Sequence, residues 1–294
     1  MTGPRLTVHW PAFLAVNLSA VIFGASALFG KLDASPAWIT AGRAAFAAAL
    51  LGLAALARRD PLALTPAQLR LTLLSGALLA AHWMLFFLSA QQGGVAVAAV
   101  TVSTFTLFTV LIEAGRRRRF PSAPELAAAL AVIAAVALIA GPGADPGAPR
   151  PALGVAAGLG AAAVFGLFPL VSQDLARDLP TLTVSFHQNW AVALFAAPAL
   201  AFTRPLHTPA DWAAVAVLGL VGTALAHQLL LFGLNRMPAA AAGALVSMEP
   251  VYAIAFAALL FGAPVGPAVF ASAALIVGAA LVLTRRAPAV VPPG

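Results

Sequence analysis

Residues Ala239–Phe261 read AAAAGALVSMEPVYAIAFAALLF, an apolar run of more than twenty residues broken by a few small polar groups and one acid, Glu249. A run of that length crosses the ~30 Å hydrocarbon core of a bilayer as a single helix. Glu249 lies near its middle and Pro250 follows at once. A carboxylate at mid-depth is disfavoured by roughly 3 kcal/mol on insertion scales unless it is paired, protonated or facing water. Proline removes a backbone donor and is expected to bend the helix beside the acid. Two roles are open for Glu249: a functional carboxylate, or a neutral acid bonded to a neighbouring helix.

The rest of the chain has the same character. Of its 294 residues, 62% are hydrophobic and 9% charged, against roughly 25% charged in soluble proteins, and mean hydropathy is +0.98. Base exceeds acid by 16 to 9, but the basic residues fall in short loops between apolar runs. A nucleic-acid partner is therefore not expected. Cysteine is absent, which excludes a disulfide framework and thiolate metal sites. The first apolar run shows no cleavage pattern, so a removable leader is not expected.

Ten apolar runs can be marked: Trp10–Gly30, Pro36–Ala57, Leu69–Ala90, Val95–Ala114, Pro124–Ala140, Ala152–Val171, Pro180–Phe202, Trp212–Asn235, Ala239–Phe261 and Val265–Thr284. They predict an all-α integral membrane protein of ten transmembrane helices. With the N-terminus inside, twelve of the sixteen basic residues face the cytoplasm, including Arg58-Arg59, Arg116–Arg119 and Arg285-Arg286. Lys31, Arg150 and Arg204 face out, and Arg43 lies within the second run. That asymmetry places both termini in the cytoplasm.

The chain also repeats. Phe23-Gly24 matches Phe165-Gly166, Pro36 matches Pro180, and His82 matches His227, at offsets of 142, 144 and 145 residues. Residues 1–141 form one expected five-helix repeat and 152–286 a second. A Pro/Gly-rich linker at 142–151 joins them, and a tail at 287–294 is expected to be disordered. Five crossings per repeat is an odd number, so the second enters the membrane inverted, with a central cavity and site expected between the repeats.

Two five-helix halves, a basic residue in the second run (Arg43) and the Glu249-Pro250-Val251 segment in the ninth resemble the drug/metabolite transporter superfamily, EamA type. Within it the chain is most similar to bacterial exporters of aromatic and other amino acids. The resemblance implies a secondary transporter of the bacterial inner membrane that exports neutral amino acids of broad range, aromatic ones included, by alternating access. It implies no enzymatic activity and no cofactor. The expected partners are the amino acid and the lipid bilayer, with the chain a monomer or weak dimer.

Individual residues suggest the site. Leu79, His82, Trp83 and Phe86 share one helical face, as do Thr101, Thr104, Phe105 and Phe108. Glu249, Tyr252 and Phe256 share another, and Tyr252 is the one tyrosine in the sequence. Asn17 in the first run, His187-Gln188-Asn189-Trp190 in the seventh and His227-Gln228 in the eighth are polar where the bilayer is not. Buried polar groups need partners, and a water-filled cavity is one source. The expected substrate-binding set is Asn17, His82, Trp83, Phe86, Thr101, Thr104, His187, His227, Glu249 and Tyr252. Arg43 is expected to snorkel, or to pair with Asp33 or a substrate carboxylate. Gly24, Gly166 and Pro250 are expected to absorb bends, making them gating or structural positions together with Arg43. Gly154-x-x-x-Gly158 is a close-packing signal. The fifth and tenth runs, almost free of polar groups, are expected outermost.

Other classes fit less well. No HExxH, paired acids or activated serine supports an enzyme. Exporters of other small metabolites or drugs share the architecture. His82, His187 and His227 leave a metal-cation carrier open, although no thiolate or second mid-run carboxylate accompanies them, and no bound metal is expected.

Overall fold

The computed structural model describes residues 10–116, 118–140, 147–176, 178–234, 236, 245–246, 248–263 and 265–284. The expected tail at 287–294, the first half of the linker at 142–146 and the opening of the ninth run at 239–244 lie outside the described residues. Helices follow the apolar runs in order: α1 (Trp10–Ser26) with a 3₁₀ turn (Ala27–Lys31), α2 (Pro36–Ala57), α3 (Pro66–Gly93), α4 (Val95–Val102) and α5 (Phe105–Arg116). Then come α6 (Ala123–Ala140), α7 (Pro151–Ala176), α8 (Thr181–Leu200), α9 (Pro209–Gly219), a π-helical turn (Leu220–Leu225), α10 (Ala226–Leu234), α11 (Glu249–Phe261) and α12 (Pro267–Thr284).

The starts are encoded locally. Ser35 caps α2 by accepting from the Trp38 amide, with Pro36 at the first turn. Thr65 with Gln68, and Thr208 with Asp211, form reciprocal capping boxes ahead of α3 and α9. Each satisfies two amides that the helix itself leaves unpaired. Gly262 stops α11 at φ 60°, a left-handed conformation that glycine adopts without strain.

Among the described residues, six helical stretches are long and apolar enough to cross a membrane: Trp10–Lys31, Pro36–Ala57, Pro66–Gly93, Val95–Arg116, Pro151–Phe168 and Pro209–Gly233. Ala123–Leu138, Glu249–Phe261 and Pro267–Ala279 are shorter apolar helices. Side chains such as Leu126, Leu130 and Ile133 of α6 point outward at 52–67% exposure, forming an apolar outer surface suited to lipid.

Small residues let the helices approach. α3 runs along α7, α2 along α8, α1 along α10 and α6 along α12. Gly154 lies against the backbone of Gly93, and Gly158 against Thr101 and Ser89, so the sixth-run glycine motif is the α7 face packed on α3 and α4. α6 and α12 pair through Val132, Val269 and Ile276, with Ser272 donating to the Ala135 carbonyl at 2.9 Å.

Two helices differ from the sequence expectation. The fourth run is interrupted at Ser103-Thr104, where the hydroxyls of Thr101, Ser103 and Thr104 each donate to a carbonyl of the preceding turn. Side chains that compete for helix carbonyls favour such a break. Pro250 falls in the first turn of α11, not at mid-helix. The missing amide leaves no helical bond unmade there, and Glu249 lies at the positive end of the helix dipole.

Candidate functional site

Four ionisable side chains from four helices act on one another's charges: Arg43 (α2), His82 (α3), His227 (α10) and Glu249 (α11). Arg43 is within electrostatic reach of the other three, and His82 is within reach of His227. In a low-dielectric interior such interactions are only weakly screened.

The two histidines are built alike. His82 Nδ1 bonds the Ala161 carbonyl of α7 at 3.0 Å, and its ring stacks on Phe165 with centroids 4.3 Å apart. His227 Nδ1 bonds the Thr223 carbonyl at 2.8 Å, and its ring meets Phe23 of α1 edge-on at 5.1 Å. A carbonyl only accepts, so in both rings the Nδ1–H donates. Each Nε2 is then a lone-pair acceptor with no partner among the described residues. Ring contacts of this kind contribute about 0.5–1.5 kcal/mol beyond area burial. Phe105 and Phe168 extend the ring wall around Phe165.

Arg43 is 3% exposed, so it does not snorkel. The buried guanidinium packs between α3 and the π turn. The guanidinium lies 3.9 Å over the Trp83 ring and 5.7 Å from Phe87. A desolvated cation–π contact contributes about 2 kcal/mol. Nε donates to Thr223 Oγ1 at 2.9 Å, and that hydroxyl donates onward to the Leu218 carbonyl five residues earlier. Thr223 lies in the π turn, a feature often associated with functional sites. Asp33 is paired with Arg204 at the surface instead.

Glu249 is half-buried, and its carboxylate has no hydrogen bond or ion pair among the described residues. Beside it, Tyr252 donates its hydroxyl to Asn17 Oδ1 at 2.7 Å, joining α11 to α1. Gly24 makes that junction close: a Cβ there would lie 2.8 Å from Tyr252 Cβ and 2.9 Å from the Glu249 carbonyl oxygen. Gly166 plays the matching part between α7 and α5, where a Cβ would lie 2.7 Å from Phe108 Cβ.

Other expected site residues lie elsewhere. Thr101 is buried against Gly158 and donates to Val97, while Thr104 donates to Thr101. His187 is tied to the α2–α3 loop, with Nε2 bonding the Leu62 carbonyl at 3.0 Å and Nδ1 accepting from Trp190. Gln188 reaches Ser172 of α7, and Asn189 donates to Ser185. The partners of this polar block thus come from α8 itself, from α7 and from the α2–α3 loop. Phe86 is 6% exposed and stacks beside His82.

A separate cavity of about 840 Å³ opens between the end of α3 at Gln91-Gln92 and the connecting segments at Lys31, Asp33, Ala148 and Arg204. Asp33–Arg204, Gln91 to the Ala34 carbonyl, and Arg150 N–H to the Gln92 carbonyl tie these segments together. Among the described residues, no three of His, Cys, Asp and Glu gather to hold a metal ion.

The sequence matches the EamA-like transporter family over residues 10–141 and 152–285. The chain belongs to the EamA-like transporter family. This EamA chain is thus a multi-pass membrane transporter of small solutes, built of two family repeats. Fifteen solved chains match it. One, a crystal structure, is 23% identical with a TM-score of 0.67, covering 95% of this chain and 99% of that one. At that identity the likeness shows the fold alone. No curated protein matches the chain in sequence. Both EamA repeats contribute to the charged cluster: Arg43 and His82 from the first, His227 and Glu249 from the second.

Phe165, Phe23 and Thr223 are contacts that the site residues taken singly did not suggest. The available signal was the repeat itself, which pairs Phe23 with Phe165 at the same matched positions as Gly24 and Gly166.

Proposed function

We propose that this EamA transporter exports amino acids with large apolar side chains, aromatic ones included, by alternating access between two inverted five-helix repeats. Ten membrane-crossing helices, both termini in the cytoplasm and a bacterial inner membrane complete the reading. The helix pairings support the repeat, and an odd number of crossings in each half supports its inversion. Exchanging each helical run for the one five later turns the α3–α7 contact into α10–α1, and the α5–α7 contact into α11–α1. The twelve-to-three distribution of base supports the orientation.

The observation that carries the substrate reading is the Glu249 carboxyl, without a hydrogen bond or ion pair among the described residues, beside a ring-lined cluster. An ammonium leaving water needs an acceptor, and Glu249 offers a charged one. His82 and His227 add neutral acceptors at Nε2. Trp83, Phe86 and Phe165 offer apolar faces, and Asn17–Tyr252 forms a link that opens or closes between α1 and α11. We assign Thr101, Thr104 and His187 to the scaffold, since their polar atoms are bonded to backbone or to neighbouring side chains.

Glu249→Gln keeps shape and hydrogen-bonding capacity while removing the charge. In proteoliposomes it should lower tryptophan transport by at least ~10-fold, the loss of one charge-assisted contact. Wild-type rates from a monodisperse Glu249→Gln protein at every pH tested refute the role. Transport of unrelated drugs in preference to amino acids favours the reading as a general metabolite exporter.

A further inference from the structure

We infer that the two terminal amino groups of Arg43 bind the carboxylate of the transported solute, making Arg43 the specificity residue for solutes that carry an acid group. The inference deepens the amino-acid reading above and rests on it for the cargo.

A guanidinium carries five N–H donors. Arg43 uses one, Nε to Thr223 Oγ1 at 2.9 Å. The face contact with Trp83 at 3.9 Å engages the cation but satisfies no N–H. Neither Nη group has a hydrogen-bond partner among the described residues. They are also absent from the fully occluded unpartnered atoms, which are Thr40 Oγ1, Thr72 Oγ1 and Asn189 Oδ1. A side chain only 3% exposed thus keeps two donor groups on accessible space inside the protein. Buried donors are normally satisfied, and a pair of parallel N–H groups matches a carboxylate in bidentate fashion.

The surroundings hold that fork in place. Trp83 covers one face, and Thr223 fixes Nε from the π turn. The Gly219 position brings the π turn against the Arg43 backbone, since a Cβ there would lie 2.5 Å from the Arg43 carbonyl oxygen. Glu249 is within electrostatic reach of Arg43, yet the two form no ion pair among the described residues. The cluster therefore presents a guanidinium and a carboxyl group that are not paired with each other among the described residues. A solute with a carboxylate and an ammonium on one carbon bridges them. A solute with only one of these groups leaves a charge uncompensated in a low-dielectric interior.

The test uses the purified full chain and ligand-induced thermal stabilisation with three probes: tryptophan, tryptamine, which lacks the carboxylate, and indole-3-propionate, which lacks the ammonium. Wild-type protein should bind tryptophan at least ~10-fold more tightly than either analogue. Arg43→Gln should weaken tryptophan and indole-3-propionate by ~10-fold or more while changing tryptamine less than about twofold. Arg43→Lys, which keeps the charge but loses the fork, should fall between, and it decides the matter if Arg43→Gln does not fold. Equal weakening of all three probes, or of none, overturns the inference. Wild-type protein that binds indole-3-propionate but not tryptophan refutes the amino-acid reading alone, and Arg43→Gln must then still weaken indole-3-propionate selectively. Binding of tryptamine only, or of no probe, overturns the assignment of Arg43.

Discussion

The two family repeats share a scaffold and differ in charge. His82 against Phe165 and His227 against Phe23 are the same ring pairing made twice, and Gly24 and Gly166 each let one helix of the pairing touch a third. The position that matches Glu249 at the 145-residue histidine offset is Thr104, whose hydroxyl is bonded to its own helix. Arg43 falls opposite His187 at the 144-residue offset of its own helix. Ring stacking and close glycine packing hold the helices together in both halves. The carboxyl of Glu249 and the guanidinium of Arg43, groups disfavoured in a membrane unless used, appear once each. The difference separates what the repeat keeps for architecture from what one half adds for a ligand.

Topology is the largest test of that comparison, because labelling is all or none. Asp60 and Arg204 follow matched helices, α2 and α8. In intact cells a membrane-impermeant maleimide should label Arg204→Cys and Ala148→Cys but not Asp60→Cys or Arg118→Cys. Labelling of Asp60→Cys and Arg204→Cys from the same side ends the inverted arrangement.

A smaller effect compares the glycines. Gly24→Ala and Gly166→Ala each force a methyl to within 2.9 Å of its neighbours, and overpacking of this kind is destabilising by about 1–3 kcal/mol. Both should lower the melting temperature of the purified protein. Gly24→Ala alone should also weaken tryptophan binding, because its neighbours are Glu249 and Tyr252. Equal binding by the two variants removes α1–α11 contact from the site.

The smallest effect is at Thr104. Replacing Thr104 by Val deletes one back-bonded hydroxyl and should change transport less than about twofold, with stability altered by no more than ~1 kcal/mol. A loss as large as that of Glu249→Gln would make the two halves functionally equivalent at this level.

Much of the fold was legible because bilayer-length apolar runs have one common solution, the helix. The second run coincides with α2 from Pro36 to Ala57. The helix face carrying His82, Trp83 and Phe86 was also legible, since periodicity fixes which residues share a side. Periodicity does not say which neighbour that side meets. His187 read as a cavity residue until its ring was found bonded to Leu62 in a loop 125 residues away. The burial of Arg43 has no trace in its own helix, because the groups that cover the guanidinium, Trp83 and Thr223, come from α3 and the π turn. The interruption at Ser103-Thr104 left a trace in its hydroxyl cluster, whereas the π turn left none.

That turn has a consequence for register. A π turn accommodates one residue more than an α-helix of the same path. Each residue of an α-helix advances the face by about 100°. Deleting one residue from Leu220–Leu225 would therefore restore α geometry while leaving His227 on the face that meets Phe23, whereas an extra residue not absorbed in this way would swing His227 by about 100°. The offset between the halves grows by one residue, from 144 at Pro36/Pro180 to 145 at His82/His227, which is the size of one such insertion. In the language of gears, the second half carries an extra tooth, and Arg43 engages it through Thr223.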